Sequence, residues 1–180
     1  MRSLFLLAYQ KNVKYIMLDI TNIRSKVEDF LKDTDAFPVS VTVDKENNVT
    51  VEIDAETGVD LETCEALNRE LQQMLDLTPD ADNYALEVGS AGLTSPFKVA
   101  RQFVKYDGKP VVVYTRDGRR VHGVMSDVQL LDGGDVAFEV SFTRREKAPG
   151  EKRPRQVKVT EPFRFSEVNR VEYDLDADPA

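Results

Sequence analysis

Apolar and polar positions along this chain switch between two periods, and the switches mark its elements. Ile23, Val27, Phe30 and Leu31 recur at helical spacing over residues 21–32, with Thr21 or Asn22 placed to cap the first turn. Phe37, Val39, Val41 and Val43 then alternate every second residue, as do Val49, Val51 and Ile53, with the polar run Lys45-Glu46-Asn47-Asn48 between them. That pattern predicts a hairpin of two strands. Cys64, Leu67, Leu71, Met74 and Leu75 restore the helical stripe to about residue 76. Asp60 is its N-cap, Glu62 adds negative charge where the helix dipole favours it, and Thr78-Pro79-Asp80 ends it. Tyr84, Leu86 and Val88 alternate once more, as a buried strand. The order is α-β-β-α-β, an α+β layer in which both helices cover one sheet face.

The texture changes after residue 98. A short helix is predicted over residues 96–103, with Pro96 in its first turn. Strands follow at residues 111–114, 121–128 and 136–142, separated by the hairpin signal Asp117-Gly118 and the turn Gly133-Gly134. Residues 144–155, RREKAPGEKRPR, are basic, contain two prolines and have no period, which reads as a mobile loop. Residues 156–160 and 167–173 supply two more strands with Pro162 between them, and residues 174–180 read as a disordered acidic tail. Five short strands joined by tight turns predict a small all-β barrel.

Charge sharpens this division. Residues 1–97 hold 8 Lys/Arg against 18 Asp/Glu, residues 98–170 hold 16 against 10, and the last ten residues carry four acids, giving −8 overall. Halves of opposite sign suggest different electrostatic partners. The junction falls in residues 84–98, YALEVGSAGLTSPFK, where Gly89 and Gly92 bracket Ser90-Ala91 in a tight turn and Pro96 redirects the chain. That turn lacks the Gly-Lys-Ser/Thr ending of a phosphate loop and the spacing of a dinucleotide loop, so it reads as structural. The expected divisions are an extension over residues 1–18, an α/β domain over 19–92, an interdomain turn over 93–97, a barrel over 98–173 and the tail over 174–180. Within the extension, Met17 is expected to be the biological start and residues 1–16 an upstream addition.

Candidate chemistry is sparse. The single cysteine, Cys64, permits no intramolecular disulfide, fits a reducing cytoplasm and sits at a helical core position. The single histidine, His122, has no Ser or Cys pattern that would pair with it. The acidic run Asp54, Glu56, Gly58, Asp60, Glu62 places its glycine wrongly for a calcium loop and reads instead as a solvated or protein-docking surface. No catalytic, metal or cofactor site is expected. Lys98, Arg101, Lys105 and Lys109 flank the junction, Arg116, Arg119 and Arg120 surround the first hairpin of the barrel, seven more Lys/Arg fill residues 144–158, and this density of cations suits phosphate. Phe138, Phe142, Phe163 and Phe165 read as core rather than base-stacking platforms.

These residues carry a family resemblance. Residues 84–98 are similar to the signature of RimP, the bacterial ribosome maturation factor family, which runs roughly Leu-Glu-Val-Ser-Ser-Pro-Gly-Leu-Asp-Arg-Pro-Leu. Leu86, Glu87, Val88, Ser90, Gly92, Leu93 and Pro96 are kept, while Gly89, Ala91, Thr94, Ser95 and Phe97 depart. Upstream, VEIDAETGVDLETCEALNRELQQMLD resembles the family's strand, acidic loop and Asp-Asp-Cys helix, here Glu62-Thr63-Cys64. Downstream, YDGKPVVVYTRDGRRVHGVM resembles its Gly-Lys entry into the second domain. The resemblance spans about residues 19–173. It implies an α/β N-terminal domain and an Sm-like, or SH3-like, C-terminal barrel. It also implies binding to the immature small ribosomal subunit and to its basic decoding-centre protein, without catalysis or cofactor. Thr94-Ser95 replaces the family's Asp-Arg, so an ion pair from those positions is not expected to lock the turn.

The leading expectation is therefore a monomeric, cytoplasmic assembly factor for the small ribosomal subunit. Glu87, Ser90, Gly92, Pro96 and Phe97 would set the domain angle. Lys98, Arg101, Arg116, Arg119 and Arg120 would contact ribosomal protein or rRNA, and Asp54, Glu56, Asp60 and Glu62 would form an acidic docking surface. The alternative is an Sm-type module acting on free RNA, which predicts tight single-stranded RNA binding without ribosomal protein. A carboxylate hydrolase would require metal-dependent turnover, which the lack of histidines and metal spacing opposes.

Overall fold

A computed structural model describes residues 18–78, 83–146 and 153–177. The expectations for residues 1–17, for the middle of the basic loop and for the last three residues lie outside this set. The N-terminal half runs α1 (Ile20–Leu31), β1 (Ala36–Val43), β2 (Asn48–Ala55), α2 (Leu61–Asp76) and β3 (Ala85–Ser90), the α-β-β-α-β order expected. β1 pairs antiparallel with β2, and β3 returns parallel to β2 with α2 as the crossover that a parallel pair requires. Ile23, Val27 and Leu31 of α1, Leu67, Leu71 and Leu75 of α2, and Val49, Val51 and Ile53 of β2 form one buried cluster, which also takes in Leu18. Cys64 packs half-buried against it, and burial pushes its thiol above the ordinary range.

Local chemistry alters several expected details. Asp19, not Thr21 or Asn22, caps α1: its carboxylate accepts from the Thr21 N–H at 2.8 Å, and the helix starts at Ile20. Asp60 caps α2 as expected, accepting from the Thr63 N–H at 2.6 Å. The register of β1 against β2 slips between Pro38 and Ser40. Proline brings no ladder donor, and the slip breaks the alternation. Val41 stays in the helix-side cluster, whereas Phe37 lies buried beneath Arg101 outside it. β3 is an edge strand: Tyr84, Leu86 and Val88 pack half-buried against the core on one face, as their alternation predicts, and Ala85 and Glu87 are exposed on the other.

The C-terminal half comprises α3 (Ala100–Lys105), β4 (Pro110–Thr115), β5 (Arg120–Leu130), β6 (Val136–Glu146), β7 (Arg155–Arg164) and β8 (Val168–Tyr173). The strands form one antiparallel sheet in the order β7-β6-β5-β4-β8. β7 and β8 remain edges, so the hydrogen-bonded sheet is open where a closed barrel was expected. β5 is shared between neighbours: its first half pairs with β4 and its second half with β6, with a register slip between Ser126 and Gln129 of the kind that bends a strand. Gly123 lies near the handover. A Cβ there would lie 2.5 Å from the Ser141 carbonyl oxygen and 2.7 Å from Val140 Cγ1, so β6 crosses where only glycine fits. Phe97, Phe103, Met125, Phe138, Val140 and Val171 belong to a second, separate buried cluster. The four expected core aromatics are there: Phe138 and Phe163 buried, Phe142 and Phe165 packed against them.

The elements correct the expected start of the helix, the glycine turn, the loop bounds, the place of Pro162 and the start of the tail. The helix begins at Ala100, with Pro96 in the turn before it. Gly89 lies within β3, and neither it nor Gly92 adopts a positive φ. Residues 144–146 and 155 are not loop: β6 and β7 continue as a ladder as far as Glu146 and Arg155, and Pro162 sits inside β7 opposite Glu139 rather than between strands. The tail's first residue, Asp174, is buried, because its N–H donates to the Pro110 carbonyl at 3.1 Å and its carboxylate lies 2.8 Å from His122 Nδ1.

Candidate interaction surfaces

β2 sends Val49, Val51 and Ile53 toward the helices, so strand alternation turns Glu52 and Asp54 to the opposite face. The cations at and before α3 meet that face. Lys98 pairs with Glu52, whose Oε2 also accepts from Ser40 Oγ at 2.7 Å. Lys105 Nζ lies 2.6 Å from Asp54 Oδ1, with the two side chains only 11% and 10% exposed. Arg101 sits 3.7 Å from Glu56, donates to the Asp35 carbonyl at 3.1 Å and covers the Phe37 ring at 4.6 Å. Lys98 holds the Glu52 carboxyl below its ordinary value, helped by Ser40 and opposed by desolvation. Gln102, buried, accepts from the Lys98 N–H at 2.7 Å and so fixes the entry to α3.

The residues expected at the interdomain turn lie beside this seam. The Ala91 N–H donates to the Ile53 carbonyl and the Phe97 N–H to the Val171 carbonyl, both at 2.8 Å, so each end of the turn is tied to one of the two sheets. Phe97 is buried, stacked on Tyr106 at 4.9 Å and edge-on to Phe103 at 5.2 Å. Glu87, Ser90, Gly92 and Pro96 are exposed, and a Cβ on Gly92 would lie 2.9 Å from Ser95 Oγ.

The acidic and basic residues assigned from sequence to separate surfaces are thus partly brought together. Asp54 and Glu56 face Lys105 and Arg101, while Asp60 is spent on the α2 cap and Glu62 stands exposed in that helix's first turn. Glu52 was missed, and Lys105 was read only as one of the cations flanking the junction, without its partner Asp54. Their signal was present: carboxylates at 52, 54 and 56 alternate along a strand, and cations at 98, 101 and 105 repeat at helical spacing.

At the β4–β5 turn, Gly118 adopts φ 87°, the conformation that the Asp117-Gly118 signal anticipates. Its arginines are exposed yet engaged. Arg116 donates to the Ser166 carbonyl, and Arg119 lies 2.9 Å from Asp117 and 3.1 Å from Glu161. The Arg120 guanidinium lies 5.4 Å from the Tyr114 ring centre, and Arg170 lies 3.9 Å from it. The Thr115 hydroxyl and then Arg119 hold the Asp117 carboxyl down to about 2. Among the described residues, no group of three or more His, Cys, Asp or Glu side chains is placed to hold a metal ion, and no helix is long and apolar enough to cross a membrane.

Two cores joined by an internal ion-paired seam, with cations displayed on one sheet, define an α+β protein whose exposed chemistry is charged surface. Comparison with known proteins agrees with the signature at the junction. Residues 26–94 match the family model described as the RimP N-terminal domain. The chain is 34% identical over 137 residues to the ribosome maturation factor RimP of Porphyromonas gingivalis, covering 76% of this chain and 86% of that protein. It is 25% identical over 120 residues to the RimP of Christiangramia forsetii, covering 67% and 73%. The chain belongs to the RimP family.

Proposed function

We propose that this protein is a ribosome maturation factor that binds the immature small ribosomal subunit and assists its late assembly, without catalysis and without a cofactor. The observation that carries this reading is the similarity to ribosome maturation factors over most of both chains. In this reading the protein is a cytoplasmic monomer of two domains, residues 19–92 and 98–173, joined by the turn at 93–97. The sharing of β5 between β4 and β6, with its register slip, supports an Sm-like or SH3-like barrel for the second domain.

Lys98 and Arg101 act first as the chain's own clamp, together with Asp54 and Glu56, which fixes how the two domains face their partners. Arg116, Arg119 and Arg120 contact ribosomal protein or rRNA from the β4–β5 turn. Asp60 and Glu62, at the start of α2, offer negative potential to a basic decoding-centre protein. Glu87, Ser90, Gly92, Pro96 and Phe97 set the domain angle. Gradient sedimentation of cell lysate, probed for the protein, tests the proposal. Co-migration with free small subunits and absence from full ribosomes is expected. Migration with small free RNAs alone would instead mark an Sm-type RNA module.

A further inference from the structure

The β6–β7 ladder does not stop where the second core stops. Beyond Phe142 it continues through Thr143↔Lys158, Arg144↔Val157, Arg145↔Gln156 and Glu146↔Arg155, with Thr143, Arg144, Arg145, Arg155, Gln156 and Lys158 all exposed. A two-stranded ribbon whose one apolar side chain beyond the core is the half-buried Val157 is marginal by itself, so packing gives it little support. Its charge is lopsided. Residues 143–146 and 153–158 hold five cations and one carboxylate, Glu146, and Arg144 takes that carboxylate at 2.7 Å. Among the described residues, Arg145, Arg155 and Lys158 have no side-chain ion pair. The seam cations and Arg119, by contrast, are all paired.

Strand alternation places Arg145 and Lys158 on one face of the ribbon and Arg155 on the other. A partner that uses all three must present anions on both sides. An acidic protein surface presents them on one side. An RNA duplex carries a phosphate strand along each side of its wide, shallow minor groove, so a ribbon laid across that groove meets anions on both sides. We propose that the β6–β7 ribbon, through Arg145, Arg155 and Lys158, straddles the phosphate backbone of structured RNA. The assignment rests on the maturation-factor reading for the identity of that RNA, but its chemistry stands on the ribbon. These contacts are to phosphate, so they position the protein without reading base sequence.

The test uses the full chain and a labelled RNA hairpin of mixed sequence, titrated at several potassium chloride concentrations. Arg145→Ala/Arg155→Ala/Lys158→Ala is expected to weaken binding roughly tenfold or more and to flatten the slope of log K against log salt by about 2 to 3. Arg145→Lys/Arg155→Lys is expected to keep the slope, and the unfolding midpoint of the triple variant is expected to match wild type. An unchanged slope in the triple variant, or a wild-type chain that ignores the hairpin, overturns the assignment. Lysate gradients separate the two readings. Wild-type co-migration with small subunits beside an unchanged hairpin slope discards the ribbon and keeps the maturation factor. Absence of wild type from small subunits discards the maturation factor while the hairpin still decides the ribbon. Loss of the triple variant from subunits with an unchanged slope gives the ribbon to a protein partner and overturns the RNA assignment.

Discussion

The seam and the ribbon are both built from closely spaced cations, and they put them to opposite use. At the seam, Lys98, Arg101 and Lys105 each meet a carboxylate of the N-terminal half, and the Lys105–Asp54 pair is almost out of solvent. On the ribbon, Arg145, Arg155 and Lys158 are exposed and, among the described residues, form no side-chain ion pair. A count of charge by segment treats these groups alike. The structure separates cations that hold the protein together from cations left to attract something else. Desolvation makes the difference: a buried charge must be paired to be tolerated, whereas an exposed one costs little and keeps its long-range field.

Lys105→Met carries the largest expected effect. It strands the Asp54 carboxylate in a largely dry position, and a loss of about 3 kcal/mol in urea-denaturation stability is expected. Adding Asp54→Leu removes the stranded charge, and the double variant should recover most of that loss. A single-variant loss well under 1 kcal/mol would show the seam to be as solvent-screened as any surface pair. Arg101→Lys comes next. The guanidinium both covers Phe37 and reaches the Asp35 carbonyl, which an ammonium cannot do together, and about 1 kcal/mol is expected. Arg145→Ala with Lys158→Ala should change stability by less than about 0.5 kcal/mol. A larger loss would mean that the ribbon's cations serve the fold after all.

The order of elements in both halves was legible in the chain because period and capping chemistry agree there. Leu67, Leu71 and Leu75 announce α2, and Asp60 announces its start. The sequence failed where a local pattern was overridden by something distant. The slip at Pro38–Ser40 takes Phe37 out of the helix-side cluster, since what covers that ring is Arg101, far along the chain. Residues 144–155 looked like loop because charge and prolines mask strand pairing, and only the partner strand reveals the ladder. Asp174 looked like tail because its partner His122 lies across the sheet. For the candidate surfaces, residue types were readable but partners were not: opposite charges more than forty residues apart give no sign in sequence that they meet.

The finest expected effect is a titration shift at the seam, and it tests whether Lys98 is engaged by Glu52. The Glu52 carboxyl is held below its ordinary value of 4.5, first by Lys98 and, beyond the opposing desolvation, by Ser40. A depressed folded-state value means that the pair's stabilisation is fully present above the unfolded-chain value. It is lost as pH falls through the folded one. Both side chains are partly open to water, at 41% and 29% exposure, so the contribution should stay below about 1 kcal/mol. The carboxyl carbon shift of Glu52 followed by NMR reads it directly. Lys98→Met should move the midpoint up toward the ordinary value, and Ser40→Ala should move it up by less. If Ser40→Ala gives the larger shift, then Lys98 leaves Glu52 in solution and belongs with the ribbon, as a cation available to a partner.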